Sequence, residues 1–394
     1  MSTAPKLPPL SLYIHVPFCV KKCPYCDFHS TVEKQIPEDG YLATIKNELV
    51  HWRHKLCNDN RPLHSIFFGG GTPSILTGET IIQLLKEIRQ LWQLTPQCEI
   101  TLESNPESCH PQKIEQWLLA GVNRLSIGIQ AFNQQRLDNL GRPHSLVEAS
   151  KAIEYSQQGG FSNLNLDLIF ATPSQTTAGW QDELAQAMSC QPKHLSCYSL
   201  TIEKETPFAT LQQQGKITEL SEDEQLELFT TTRQILESGG WHGYEISNFA
   251  KPGWECQHNI NYWQSSDYIG VGPSAHGRLS QIDNNMITVA RYVNRTRDYL
   301  EKQSSDGSSF SEERICSKRE SGNDCLIMGL RLNEGMSRKT YRYLRGIDLV
   351  EQQPKAINEL QKAGLLTVTK EKIALTNKGL LLSDGVIEKL IWVD

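Results

Sequence analysis

The sequence lacks any long apolar run, which excludes a membrane-spanning helix, since such a helix needs roughly 18 or more consecutive apolar residues. The first ten residues, MSTAPKLPPL, lack the apolar core of a secretory signal. A large excess of one sign of charge is also absent, because 39 basic and 45 acidic side chains leave a net charge of only −6. That balance gives no electrostatic basis for dedicated nucleic-acid binding. We therefore expect a cytoplasmic protein without a nucleic-acid partner.

A disulfide framework is a poor interpretation of the eleven cysteines, because their number is odd and the chain has 394 residues. That length suits roughly two to three domains with a large core. Eight cysteines are isolated, and an isolated cysteine is usually a small buried apolar residue. The other three, Cys19, Cys23 and Cys26, lie together in the segment HVPFCVKKCPYCDF.

Residues 11–200 alternate short β-branched or aromatic runs with helical periodicity, a pattern typical of βα units. Six such units are too few for a closed eight-fold barrel and predict an open, partial (β/α)6 barrel. Chemistry in these folds collects on the loops that follow the strands. The predicted strands cover residues 12–16, 65–68, 99–103, 124–129, 163–170 and 194–199.

The remainder of the chain divides by composition. We expect the barrel over 1–200 and an α/β extension over 201–301, which contains two dense motif segments. Residues 302–323 are polar and Ser-rich and predict an exposed linker. Residues 324–394 predict a mainly helical, winged-helix-like cap, whose nearly even charge favours a structural role over DNA binding.

The three clustered cysteines predict an inorganic centre, because thiolates are soft metal ligands. A structural zinc site needs a fourth ligand, and His15 and His29 do not give the usual spacing. A [4Fe–4S] cluster normally has four cysteine ligands, so three cysteines leave one iron open to a small molecule. A zinc site or a loop of buried thiols remains the alternative.

The spacing C-x3-C-x2-C, with Tyr25 before the last cysteine, resembles that of the radical S-adenosylmethionine (SAM) proteins. The resemblance implies that Cys19, Cys23 and Cys26 hold a [4Fe–4S] cluster whose open iron binds SAM. It also implies a SAM-binding role at matching positions after the strands, although each of these residues taken singly is more often structural. The expected SAM-binding residues are Tyr13, Tyr25, Gly69, Gly70, Gly71, Thr72, Glu103, Gln130, Arg142 and Asp167.

Over nearly its whole length the chain resembles the family of oxygen-independent coproporphyrinogen III dehydrogenase. The dehydrogenase motif continues to a fourth cysteine, where this chain has Phe28, and a longer segment precedes the motif there. Both differences favour the haem-chaperone branch of that family. Coproporphyrinogen III dehydrogenase activity and another radical SAM activity, such as methyl transfer, remain alternatives.

The segment His258-Asn259-x-x-Tyr262-Trp263 resembles a haem-associated signature of the chaperone branch. Imidazole is a haem-iron ligand, and aromatic rings offer flat apolar surface. A histidine beside aromatic residues is also often a buried, hydrogen-bonded one. Two other haem ligands stay open, namely the thiolate of Cys256 and, less favoured, His276.

The resemblance therefore implies haem carriage, in which the cluster and SAM control the binding or release of haem. The implied partners are haem, a respiratory haem protein as acceptor, and an electron donor such as a flavodoxin or ferredoxin. Peripheral membrane association through the acceptor is a further expectation.

Overall fold

The computed structural model describes residues 6–283, 286–294 and 310–391. In these ranges the chain forms strands of two to eleven residues. They are β1 (Leu10–Val16), β2 (Phe18–Cys19), β3 (Thr31–Val32), β4 (Leu63–Gly70), β5 (Leu94–Ser104), β6 (Arg124–Gln130), β7 (Leu164–Phe170), β8 (His194–Ser199), β9 (His242–Gly243), β10 (Asn248–Ala250), β11 (Asp267–Val271), β12 (His276–Asp283), β13 (Met286–Asn294), β14 (Phe310–Cys316), β15 (Met336–Ser337), β16 (Leu366–Val368) and β17 (Lys372–Leu375).

Helices connect most of these strands, and two short 3-10 turns follow β4 and β5. The helices are α1 (Glu38–Lys55), α2 (Gly78–Leu91), α3 (Pro111–Ala120), α4 (Gln134–Asn139), α5 (Leu146–Gly159), α6 (Thr177–Ser189), α7 (Pro207–Gln213), α8 (Glu222–Ser238), α9 (Gln257–Trp263), α10 (Lys318–Gly329), α11 (Arg338–Arg345), α12 (Leu349–Gln352), α13 (Pro354–Lys362), α14 (Asn377–Leu380) and α15 (Ser383–Leu390).

One twelve-stranded sheet organises the fold, in the order β14-β13-β12-β11-β1-β4-β5-β6-β7-β8-β10-β9. The strands from β11 to β8 are parallel to their neighbours, and the strands on either side of them pair antiparallel. The six predicted strands are β1, β4, β5, β6, β7 and β8, adjacent in that order. This confirms the open, partial (β/α)6 barrel.

The parallel strands are buried on both faces, as strands covered by layers on both sides require. In β1, Leu12 and Ile14 are buried on one face, and Ser11 and His15 are buried on the other. Apolar residues at three- and four-residue spacing in the sequence predict a helix over 80–92, and the structure has α2 there, which begins after the N-cap Thr77 and buries its apolar stripe against the sheet. Ser145 followed by Glu148 three residues later predicts a capping box, and this capping box starts α5.

The segment expected to be a linker, 302–323, is structured wherever it is described. Residues 310–316 form β14, an edge strand that pairs with β13, and Ser317 with Glu320 makes a capping box that starts α10 at Lys318. The linker prediction is wrong there because the polar residues of a mostly exposed edge strand have the composition of a loop. Residues 302–309 lie outside the described residues.

Two other parts of the chain lie outside the six barrel strands, namely the extension and the C-terminal part. The extension is continuous with the barrel, since β10, β11, β12 and β13 join the same sheet. The C-terminal part has its own core, and a small sheet in the order β15-β17-β16 packs beside its helices, as a winged-helix-like layout predicts. None of the described helices is both long and apolar enough to cross a bilayer.

Candidate functional site

The three clustered cysteines surround one end of a cavity of about 520 Å³ at the carboxyl ends of the parallel strands. Cys19 ends β2, which pairs with β3 and so closes the intervening loop. Within that loop the backbone N–H of Cys26 donates to the carbonyl of Cys23 at 3.1 Å. Cys19 and Cys23 are buried and Cys26 is half-buried, and all three line the cavity.

The glycine loop after β4 presses against the cysteine loop. A Cβ on Gly71 would lie 2.7 Å from the carbonyl oxygen of Phe18 and 2.9 Å from Sγ of Cys19, so only glycine fits. The Thr72 hydroxyl lies 3.6 Å from the same Sγ and donates to it. Gly70 has a φ of 115°, in the left-handed region that favours glycine. This packing holds Cys19 in position from the side of the glycine loop.

A buried cation faces the second cysteine. Nη1 of Arg142 lies 3.4 Å from Sγ of Cys23, and Nη2 donates to Oδ1 of Asn105 at 2.7 Å and to the carbonyl of Gly128 at 3.1 Å. These two acceptors hold the positive charge of Arg142 beside the cysteine loop. Arg142 therefore suits an anionic cluster of iron and thiolates.

Within the described residues, no three His, Cys, Asp or Glu side chains converge tightly enough to hold a single metal ion. The three thiols nevertheless line one cavity. A four-iron cluster is larger than one ion and needs ligands that stand further apart. The donor set, soft sulfur beside a buried cation, thus fits the cluster better than it fits zinc.

Two carboxyl groups also line the cavity, those of Glu103 and Asp167. Glu103 follows the apolar part of β5, and its Oε2 accepts from the backbone N–H of Gly70 at 3.3 Å. Burial and the nearby Asp167 raise the pKa of Glu103 to about 8. Burial also raises the pKa of Asp167, which accepts from Ser126 at 2.9 Å and Asn165 at 2.8 Å. These carboxyls suit a ligand with an ammonium group, a sulfonium and ribose hydroxyls, as SAM has.

The structure brings most of the expected SAM-binding residues to this cavity. The last residue of β6, Gln130, has a φ of 68°, a strained conformation for a residue other than glycine, and turns the chain at the cavity. Tyr13 and Gly69 lie behind the lining, since a Cβ on Gly69 would meet the Tyr13 ring at 2.9 Å. The expected residues in the lining are Tyr25, Gly70, Gly71, Thr72, Glu103, Gln130, Arg142 and Asp167.

Several lining residues were missed from the sequence. Asn105 follows β5 and holds Arg142. The end of β8 and the residues just after it also line the cavity, through Tyr198, Ser199, Leu200, Thr201 and Glu203. Tyr25 packs there, edge-on against Phe208 with ring centroids 6.2 Å apart. Position after a parallel strand was the one available signal, because every such loop reaches the same edge of the sheet.

The HNxxYW segment lies in α9, which packs against β4 and whose first residues are bonded to Glu99 of β5. His258 is 1% exposed, and both of its ring nitrogens have partners, Ser65 Oγ at 2.8 Å and Tyr262 OH at 2.9 Å. Burial, with a smaller effect from Arg124, lowers the pKa of His258 to about 3. Ligation of haem iron by His258 stays a prediction, and in this structure it requires one of the two hydrogen bonds to break.

Stacked rings connect α9 with the barrel. Phe67 stacks on His258 with centroids 5.0 Å apart and on Tyr13 with centroids 6.2 Å apart. At the end of the helix, the Arg331 guanidinium lies 4.8 Å from the centroid of Trp263. One short helix thus contacts both the barrel and the C-terminal part.

The remaining expected haem residues lie in different surroundings. Asn259 donates to the Tyr244 hydroxyl at 3.4 Å. The fully buried Cys256 donates to Glu99 at 3.3 Å, and burial raises the pKa of its thiol to about 12. His276, by contrast, is exposed at the start of β12.

Two family models match the chain, the Radical SAM superfamily over residues 13–185 and the HemN C-terminal domain over residues 316–382. The structure of coproporphyrinogen III oxidase (HemN) from Escherichia coli superimposes with a TM-score of 0.80. That match covers 98% of this chain and 90% of HemN at 23% sequence identity, and it shows the shared fold.

Curated relatives give the more specific similarity. Heme chaperone HemW of Escherichia coli is 35% identical over 97% of this chain and 98% of its own length. HemW of Haemophilus influenzae is 44% identical over 70% of this chain and 72% of its own length. HemW of Bacillus subtilis is 32% identical over 95% and 97%. The chain therefore belongs to the radical SAM superfamily and, within it, to the HemW family.

Proposed function

We propose that this protein is a haem chaperone, which binds haem and transfers it to an acceptor haem protein while it carries a SAM-bound [4Fe–4S] cluster. The observation that carries the proposal is the full-length similarity to HemW proteins, 35% identity over 97% of the chain in one case. The cavity that the three cysteines share with the glycine loop and two carboxyls supports the cofactor assignment.

Different residues of the cavity would hold the [4Fe–4S] cluster and SAM. Cys19, Cys23 and Cys26 would hold the cluster through three thiolates, and the cavity beside them would take SAM. The bound cluster supplies one-electron chemistry to the sulfonium. Arg142 stabilises negative charge at Cys23, and Glu103 accepts hydrogen bonds from the ligand.

Phe28 is the residue that argues against coproporphyrinogen III dehydrogenase activity, which is the competing function. It stands where the dehydrogenase motif has its fourth cysteine, and its side chain is 62% exposed. Incubation of the reconstituted protein with coproporphyrinogen III, SAM and a reductant should yield no vinyl product. Formation of that product would establish the dehydrogenase.

The chaperone proposal is tested by haem titration of anaerobically reconstituted protein, followed in the Soret region. We expect saturable haem binding and transfer to an apo haem protein. Cys23→Ala should lose iron and sulfide, whereas Cys57→Ala, which removes an exposed thiol, should retain them. Absence of haem binding in the wild type contradicts the function, and an intact cluster in Cys23→Ala contradicts the ligand assignment.

We propose that a flavodoxin or ferredoxin delivers the electron at the cysteine loop. Two exposed apolar side chains, Val20 and Phe28, lie there beside Lys21 and Lys22, which suits an acidic redox protein with an apolar contact patch. Lys21→Glu with Lys22→Glu should slow cluster reduction by flavodoxin and leave reduction by dithionite unchanged. Equal rates with flavodoxin would refute this docking site.

We further propose that the protein works in the cytoplasm, where the eleven free thiols stay reduced. Contact with a membrane would then arise through a membrane-bound respiratory acceptor. Flotation with acceptor-containing vesicles should recover the protein, and flotation with acceptor-free vesicles should not. Equal recovery from both would show direct lipid binding and overturn this view.

A further inference from the structure

A second cavity, of about 620 Å³, lies between the end of α9 and the C-terminal part of the chain. Trp263 and the segment after it form one wall, and α10, α11 and β15 form the others. The volume falls within the range of cofactor sites, roughly 300–1,000 Å³. None of Cys19, Cys23 and Cys26 lines this cavity.

The lining combines apolar surface with positive charge. Trp263, Tyr343 and Leu344 contribute aromatic and aliphatic surface. The charged lining residues are three lysines and one glutamate, which leaves a net charge of +2 in the lining. A flat apolar ligand with two carboxylates is the complement of such a lining. The lysines are Lys6, Lys339 and Lys372, and the glutamate is Glu334. Lys372 forms an ion pair with Glu334, so Lys6 and Lys339 provide the net charge that a ligand would meet.

Polar and sulfur groups in the lining also point to a ligand. The buried Trp263 Nε1 has no hydrogen-bond partner in the described part of the chain, and a buried donor normally has one. The buried Ser265 hydroxyl lies beside the Cys325 thiol without a hydrogen bond of normal geometry. Cys325 and Met336 line the cavity as well, and thiolate and thioether are both haem-iron ligands.

We propose that this cavity is the haem-binding site of the protein, with the propionates at the lysines and the macrocycle against Trp263. The assignment rests on the proposed haem-chaperone function and adds to it the place where haem lies. It also gives the HNxxYW segment a structural explanation. His258 anchors α9 on Ser65 and Phe67 of β4, and Trp263 at the other end of the same helix faces the haem.

The test is a haem titration of the reconstituted full-length protein and of two lining variants. Thr340→Phe fills the cavity from α11, and Lys339→Glu reverses one of the charges expected to hold a propionate. Each should raise the Kd for haem at least tenfold. Lys370→Glu is the matched control, because it makes the same charge change at an exposed lysine outside the lining and should bind haem as the wild type does.

Iron and sulfide content should be unchanged in every variant, which shows that each folds and keeps the first cavity. If both lining variants, with the cluster intact, bind haem as tightly as the wild type does, the proposed site is wrong. The chaperone function would not be contradicted by that result, because the wild type still binds haem. No haem binding by the wild type would instead contradict the function itself. Equal weakening by Lys370→Glu would show an unspecific charge effect and likewise overturn the site.

Discussion

Glu103 and Gly70 are joined in the lining of the cavity that the three clustered cysteines share, since the backbone N–H of Gly70 donates to Oε2 of Glu103 at 3.3 Å. The bond ties the end of β5 to the glycine loop after β4, and so couples a carboxyl to the loop that supports Cys19. Despite this donor, burial and the nearby Asp167 keep the pKa of Glu103 near 8. In the cofactor-free protein the carboxyl is therefore largely protonated at neutral pH.

This pKa predicts a pH dependence of stability. Between about pH 4.5 and 8 the folded state holds a proton that the unfolded state has lost, so the free energy of unfolding decreases as pH rises through this window. The slope reaches about 1.4 kcal/mol per pH unit for one full proton. Urea unfolding of cofactor-free Glu103→Gln should show a flatter pH profile, and the exposed-site control Glu388→Gln should match the wild type. Parallel profiles for all three proteins would refute the raised pKa.

Gly71→Ala should disrupt the cluster, because the added Cβ would lie 2.7 Å from the Phe18 carbonyl and 2.9 Å from Sγ of Cys19. The cysteine loop must shift to relieve these contacts, so we expect less than half of the wild-type iron and sulfide after reconstitution. Gly40→Ala is the control, since nothing lies within 4 Å of a Cβ there. Full cluster content in Gly71→Ala would show that the two loops are not in close contact.

The barrel was predictable from the sequence because it depends on local patterns. Apolar runs identified all six strands, and Ser145 with Glu148 identified the start of α5. Parallel strands end at one edge, so the motifs after β1, β4, β5 and β6 had to meet there. The cysteine spacing then supplied the chemistry.

What the sequence did not predict depends on contacts between distant residues. The partner of His258 at Nδ1 is Ser65, 193 positions away, and nothing in the HNxxYW segment indicates that its imidazole is buried. Asn105 became a site residue only through its bond to Arg142. The polar strand β14 resembles a linker because its pairing with β13, and not its composition, makes it a strand.

Glu99 should stabilise the start of α9. Its carboxylate accepts from the backbone N–H groups of Gln257 at 3.0 Å and His258 at 3.2 Å and from the Cys256 thiol. Glu99→Ala leaves these buried donors without an acceptor, so we expect a loss of about 2–4 kcal/mol in the free energy of unfolding. Glu99→Gln keeps one acceptor oxygen and should lose less.

Chemical denaturation measures both Glu99 variants, and Glu255→Ala serves as their control. Among the described contacts, the Glu255 carboxylate accepts only from the exposed Gly253 N–H, so its removal should cost under about 0.5 kcal/mol. Equal losses for Glu99→Ala and Glu255→Ala would mean that the Glu99 carboxylate does not support the helix.

His258→Ala should lower the free energy of unfolding, whereas we expect the haem spectrum to change little. The substitution removes an imidazole that packs against Phe67 and leaves the Tyr262 hydroxyl without its partner, so we expect a cost of about 2–4 kcal/mol. Because the folded-state pKa is about 3, the unfolded chain gains a proton first as pH falls below about 6.5. Wild-type stability therefore decreases from that pH towards pH 3, and His258→Ala lacks this contribution.

The haem spectrum separates a structural role of His258 from iron ligation. If the imidazole only anchors α9, His258→Ala at a temperature where it is folded keeps the Soret maximum of the wild type, with a modest loss of affinity. If it ligates the iron, the maximum shifts and added imidazole restores it. His242→Ala is the matched control, because it removes an exposed imidazole at the start of β9 and should alter neither stability nor spectrum. A shifted maximum in His258→Ala alone would show that the imidazole ligates the iron. Haem binding would then break the bond of His258 to Ser65 or Tyr262, and α9 would have to move.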